Sequence, residues 1–166
     1  MNTQINNQLC YLTYSANDEA WGTIITTAGF QRISPHAVYP PSQHPKSYNF
    51  CPQNGRILNE YQFVYIVKGS GQFVSNHKKK QAVKTGDLLI LFPGEWHNYY
   101  PDVDSGWDEY WVGFKGAYMD YLMNKHFFSP ENPVLELGIS CSLVSLYEDL
   151  LQTANNEKAG FQIMLA

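Results

Sequence analysis

The sequence has no basic excess: Lys and Arg number 11 against 15 Asp and Glu, for a net charge of -4. Duplex binding draws on many cationic contacts to phosphate, so this chain by itself is not expected to bind nucleic acid. Long hydrophobic runs are missing too. No stretch approaches the roughly 20 apolar residues of a membrane helix, and the opening MNTQINNQLCYLTYS has neither the basic nor the apolar region of a secretory signal. The expectation is a cytoplasmic protein with no membrane contact. Cysteine is scarce: Cys10, Cys51 and Cys141 are odd in number, widely spaced and form no CxxC, which argues for reduced thiols rather than a disulfide frame or a metal site. No Ser or Cys sits in a nucleophile elbow beside a base, so nucleophilic catalysis has no candidate.

What is present is apolar and aromatic. In 166 residues, 44% hydrophobic content with 15% aromatic suffices for one packed domain. From Cys10 to Phe114 short β-branched and aromatic runs alternate with Gly, Pro, Asn and Asp clusters, the punctuation of strands, and helical periodicity is absent. EYQFVYIVK (Glu60–Lys68) alternates, and Gly69-Ser70-Gly71 after it reads as a tight hairpin turn returning through Gln72–Asn76. Lys78-Lys79-Lys80 reads as a solvated hairpin tip, and LLILF (Leu88–Phe92) as a strand buried on both faces. Such a succession of antiparallel strands closes into a sandwich or barrel. Between Ser34 and Pro52 five prolines mark a surface loop able to cover a barrel mouth.

Beyond Gly116 the period changes. Tyr118, Tyr121, Leu122 and Lys125 share one helical face, and the run is expected to reach Pro130. Ile139, Leu143, Leu146 and Leu150, flanked by Val144, Tyr147 and Leu151, make a second helix ended by Asn155 and Asn156, with a stripe wide enough for a barrel and a partner. Phe161, Ile163, Met164 and Leu165 begin a third apolar element that runs to Ala166 without a cap, which suggests a piece of a longer protein. The expected division is a barrel over 1–116 and a helical segment over 117–166.

Within WDEYWVGF, strand alternation puts Trp107, Glu109, Trp111 and Gly113 on one face and Tyr110, Val112 and Phe114 on the other. A carboxylate between two indoles suits either a solvated strand face or a pocket wall that grips hydroxyl groups. Alternation places Glu109 with Trp111 without deciding between the two, and Trp107, at the turn edge, is undecided as well.

GRILNEYQFVYIVKGSGQF, KTGDLLILFPGEWHNYY and WDEYWVGFKG, in that order, resemble the N-terminal ligand-binding domain of AraC-type transcription regulators. The resemblance implies a mainly β, cupin-like jelly-roll barrel followed by C-terminal α-helices. It implies a small effector, often a sugar, a homodimer formed through the helices, and DNA contact only through a C-terminal helix-turn-helix domain that this chain lacks. Carried over by position, Tyr99 of PGEWHNY matches an effector-contacting tyrosine, and Trp111 matches the tryptophan on which the sugar ring lies. Glu109 falls where the arabinose-responsive member has a histidine, which implies a different hydrogen-bonding scheme. Ser34 replaces a threonine, and Arg56 stands in for an arginine that contacts the sugar. His97 reads as structural, and Trp96 and Tyr100, on the opposite strand face from Tyr99, as packing residues.

The rival reading is a metal-dependent cupin enzyme, a dioxygenase or isomerase, since fold alone does not settle function. Its centre takes two histidines and a glutamate from an early HxH motif and a third histidine from the PGxxH region. Only His97 qualifies, because no histidine lies between His44 and His77. Neither catalytic residues nor a metal or other cofactor is therefore expected. A barrel filled with its own side chains, serving only dimerisation, is the third possibility.

Overall fold

A computed structural model describes residues 7–41, 48, 54–156 and 160–166. Cys51 and much of the proline-rich segment fall outside them. Nine strands are present among the described residues: β1 (Gln8–Tyr11), β2 (Ile24–Ile33), β3 (Arg56–Ile57), β4 (Tyr61–Ser75), β5 (Gln81–Lys84), β6 (Asp87–Leu91), β7 (Trp96–Pro101), β8 (Trp107–Lys115) and β9 (Val134–Glu136). Four helices join them: α1 (Ala16–Ala20), α2 (Ala117–Asn124), α3 (Cys141–Asn156) and α4 (Phe161–Leu165).

All pairings are antiparallel. One layer runs β1-β2-β8-β4-β6-β9, and β4 also pairs β5 and β7, with β3 beyond β7. β4 thus belongs to both layers. Its first half, from Tyr61 to Gly69, lies against β8, and Ser70–Ser75 crosses to β5 and β7. This corrects the hairpin expected at Gly69-Ser70-Gly71. The glycines serve a bend instead: at Gly69 φ is 87°, and a Cβ there would strike the Gly106 carbonyl oxygen, while one at Gly71 would strike the Tyr100 carbonyl oxygen and the Trp107 ring. The turn comes after Ser75, where Lys79 and Lys80 are exposed as expected.

Both faces of the first layer are buried. Val64, Ile66, Leu89, Leu91, Trp107 and Trp111 point into the barrel with Phe73 and Tyr99 of the second layer. Tyr61, Tyr65, Tyr110, Val112 and Phe114 point outward, where α3 covers them with Tyr147, Leu151 and Ala154. Those three positions fall on one helical face, on the flank of the expected stripe: Leu146 of its central row is exposed, and Ile139 precedes the helix, which starts at Cys141. LLILF is buried throughout, as its continuous apolar run requires.

Hydrogen bonds from the outward tyrosines lock the helices to the barrel. Tyr61 Oη donates to Asp120 at 2.8 Å and Tyr110 Oη to Glu148 at 3.3 Å. Tyr65 Oη donates to the Gly138 carbonyl at 2.6 Å and accepts from the Ser140 amide at 3.0 Å. Gln162 of α4 does the same for β2: its Oε1 accepts from the Ile25 amide at 3.0 Å and its Nε2 donates to the Ile25 carbonyl at 2.9 Å.

Four elements depart from the sequence reading. α1 lies where no helix was expected, started by a capping box in which Ser15 and Asp18 bond each other reciprocally. α2 ends at Asn124 rather than near Pro130, because His126 takes φ 61°, a left-handed conformation that stops a helix. β9 pairs β6, so the segment after Gly116 also supplies a strand. Trp96 and Tyr100 are only half-buried, since the core lies on the opposite side of β7, and Trp96 Nε1 donates to the Asn54 carbonyl at 2.8 Å.

Tyr65→Phe leaves the Gly138 carbonyl and the Ser140 amide without their shared partner. The expected loss is about 1–3 kcal/mol of stability, read from the shift in a urea unfolding midpoint.

Candidate functional site

β8 lies between β2 and β4, and its inward residues form cross-strand rows. Trp107 stands opposite Ile33 and Gly69, Glu109 opposite Gln31 and Ile66, Trp111 opposite Gly29 and Val64, and Gly113 opposite Thr27 and Gln62. Three of these rows contain a glycine, and at Gly29 and Gly113 a neighbouring side chain needs the space. The Trp111 indole lies over Gly29, where a Cβ would collide with the ring, and at Gly113 a Cβ would collide with Thr27 and Glu60. Trp107 is settled as a core residue, 1% exposed, with its ring 6.0 Å from that of Tyr99.

A cavity of about 20 Å³ opens on these rows, lined on the strand side by Gln31, Gln62, Tyr99, Glu109 and Trp111 and by Arg56 of β3. Tyr39, Pro40 and Tyr48 of the proline-rich segment close its mouth, with Tyr11 of β1 beside Tyr48 at 5.0 Å between ring centroids. Of the residues assigned from sequence, Trp111, Tyr99, Glu109 and Arg56 therefore meet in one place. Ser34 does not. It is exposed in the turn after β2, where its carbonyl accepts from the Ala37 amide, because β2 ends at Ile33 and the chain leaves the barrel wall there.

Arg56 organises one side of the cavity. Its Nη2 donates to the Tyr99 hydroxyl at 2.7 Å, Nη1 to the Tyr48 carbonyl at 3.0 Å and Nε to His97 Nε2 at 3.3 Å. Because arginine only donates, His97 Nε2 is the unprotonated nitrogen, and Nδ1 donates to the Glu95 carbonyl at 3.1 Å. Burial first, and then the adjacent guanidinium, hold the His97 pKa down at about 3. This neutral imidazole has its lone pair engaged. Among the described residues no cluster of three or more His, Cys, Asp and Glu side chains could hold a metal. The donor set does not fit a cupin metal centre.

Glu109 sits on the other side, 4% exposed, and its Oε2 has no hydrogen-bond partner among the described residues. Burial pushes its pKa up to about 8, against the opposing pull of Arg56. Burial likewise keeps the Tyr99 and Tyr39 hydroxyls protonated. Beneath Gly113 a second polar group goes unnoticed in the sequence: Gln62 Nε2 donates to Glu60 Oε1 at 2.9 Å and the Tyr48 hydroxyl to Glu60 Oε2 at 3.1 Å. Period two puts Glu60 and Gln62 on one strand face with Val64 and Ile66, and that shared face is the signal the sequence offers. The roof could not be assigned to residues, since nothing in a proline-rich loop specifies which side chains turn inward.

A group with a raised folded pKa binds more protons folded than unfolded, so stability falls as pH rises through the interval. For Glu109 that interval runs from 4.5 to about 8. His97 acts oppositely, adding stability as pH rises from about 3 to 6.5. The two oppose each other between pH 4.5 and 6.5, and above 6.5 Glu109 is the one of the pair that acts. Between pH 6.5 and 8 the parent is expected to lose stability at up to about 1.4 kcal/mol per pH unit relative to Glu109→Gln, as measured by urea unfolding at several pH values.

A family model described as AraC-like ligand binding domain matches residues 35–161. Among solved structures, YhaK from Escherichia coli is 11% identical with a TM-score of 0.51, over 81% of this chain and 52% of its own. ToxT from Vibrio cholerae O395, bound to (E)-4-(8-methylnaphthalen-1-yl)but-3-enoic acid, is 9% identical with a TM-score of 0.49, over 87% of this chain and 52% of its own. Oxalate decarboxylase from Bacillus subtilis is 18% identical with a TM-score of 0.40, over 70% of this chain and 24% of its own. Cupin domains are also among the matches. The antiparallel strands, followed by α3 and α4, form a cupin-like barrel with C-terminal helices. This chain spans about half the length of YhaK and ToxT. No curated protein matches the sequence.

Proposed function

The chain belongs to the AraC-like ligand binding domain family, and from that membership we propose that its cavity senses a sugar on behalf of a DNA-binding domain outside this chain. The observation that carries the reading is the placement of Glu109 and Trp111 in adjacent rows of the cavity wall. A sugar ring offers an indole its apolar, weakly positive C–H face, and offers a buried carboxylate its hydroxyl donors. Arg56 and Tyr99 supply further polar groups from β3 and β7. The mouth residues Tyr39, Pro40 and Tyr48 must move outward to admit a ring, because about 20 Å³ holds little more than a water molecule.

β8 then links the cavity to the helices. Glu109 and Trp111 face inward, while Tyr110 between them donates to Glu148 and stacks on Tyr147 of α3 at 5.5 Å. The outer surface of α3 and α4 leaves Leu146, Ile163 and Met164 exposed at 64%, 50% and 75%, and we assign it to a second copy of the protein. The engaged lone pair of His97 favours a sensor over a metal enzyme. The working location is the cytoplasm, with the DNA such a regulator serves.

A thermal-shift screen against mono- and oligosaccharides identifies the effector, since a ligand bound by the folded state raises the melting temperature. Trp111→Ala is expected to remove most of the affinity and Glu109→Gln to cost about 1.5–3 kcal/mol of binding, read by tryptophan fluorescence titration. Parental affinity in both variants would sink the assignment. For the dimer, light scattering of a chain extended through the DNA-binding domain should give twice the monomer mass, and Leu146→Asp with Met164→Asp should halve it.

A further inference from the structure

Hydroxyl recognition alone does not account for a carboxylate at position 109. Its cross-strand neighbour Gln31 lines the same cavity, and an amide accepts hydrogen bonds from hydroxyls without the cost of burying a charge. Glu109, at 4% exposure and with Oε2 unpartnered among the described residues, must either carry that cost or be held protonated. The charge of Arg56 pulls the other way, but burial outweighs it, and Arg56 donates to Tyr99, Tyr48 and His97. Around the carboxylate stand the rings of Trp111, Tyr99 and Tyr39. Aromatic faces attract a cation through their quadrupoles, and an unpartnered carboxylate attracts it by charge. The space of about 20 Å³ suits a head group of one or two heavy atoms, where a sugar ring would not fit without opening the mouth.

Resting on the reading that this cavity is the effector site, we propose that the effector presents a protonated amine to Glu109, as an amino sugar or a related small polar amine does. The remainder of the molecule stays outside the narrow part, against Trp111 and the mouth residues. The groups that face Glu109 from the surrounding elements are Arg56 of β3, Tyr99 of β7 and Tyr39 of the proline-rich segment. The two tyrosines stay neutral, and Arg56 acts against protonation. With its pKa pushed to about 8 by burial, Glu109 is mostly the neutral acid at pH 7 in the empty cavity. Entry of an ammonium group stabilises the carboxylate, so binding expels a proton, whereas a neutral polyol does not require that step.

Methylammonium chloride is the probe. The carboxyl carbon of Glu109, identified by the signal lost in Glu109→Gln, is titrated by NMR in about 0.1 M methylammonium chloride and in sodium chloride of equal ionic strength, so that screening is matched. Methylammonium is expected to lower the Glu109 midpoint by at least about half a pH unit relative to sodium. Equal midpoints overturn the amine, whatever effector the carbohydrate screen returns. Parental affinity for that effector in Trp111→Ala overturns the site reading instead, whatever the two salts give. A midpoint shift together with that parental affinity leaves a cation site that is not the effector's, which also overturns the proposal. A neutral effector that needs Trp111 and binds without proton release keeps the site and removes the amine.

Discussion

β8 is buried on both of its faces, and most of the molecule follows from how that constraint is met. A strand alternates its side chains, so any residue facing the barrel has neighbours facing the helices. Inward, Trp107, Glu109 and Trp111 line the core and cavity; outward, Tyr110, Val112 and Phe114 form a surface that only a covering helix removes from water. Covering these rings is therefore what the barrel requires of α3. The same alternation forbids a one-residue slip, which would exchange Glu109 with Tyr110 and place a carboxylate among the rings under α3.

The polar groups of the cavity are divided by charge state. On one side a permanent cation, Arg56, holds a neutral imidazole and a neutral phenol by donating to both. On the other, burial keeps Glu109 close to neutrality. The two are coupled through space, because Arg56 lowers both the His97 and the Glu109 pKa. An isolated ion in such a cavity would cost several kcal/mol, and protonation of Glu109 is how the empty protein avoids that cost.

Where periodicity governed structure, the sequence was readable. The face shared by Glu109 and Trp111 and the doubly buried LLILF follow from side-chain direction along a regular element, whereas the wide apolar stripe of α3 does not reveal which of its edges, here that of Tyr147 and Leu151, is buried. Ser34 was misplaced because a positional match carries no information about where β2 leaves the wall. Gly69-Ser70-Gly71 was misread because glycine permits both a tight turn and a close approach of two chains, and only the partner, here Gly106, distinguishes them. Arg56 was assigned by analogy, but its contacts with His97 and Tyr99 join residues far apart in the chain, which no local pattern encodes. α1 could have been recognised from Ser15 and Asp18, whose spacing is that of a capping box.

Gln162 gives α4 a role beyond packing. β1 pairs β2 only as far as Tyr11 opposite Thr27, so Ile25 would present an open amide and carbonyl at the margin of the sheet. The Gln162 side-chain amide occupies both, imitating one residue of a further strand. An uncovered margin of this kind is a template on which another chain can add itself. A single glutamine at 2% exposure thus seals that margin, and growth strand upon strand is discouraged at that edge.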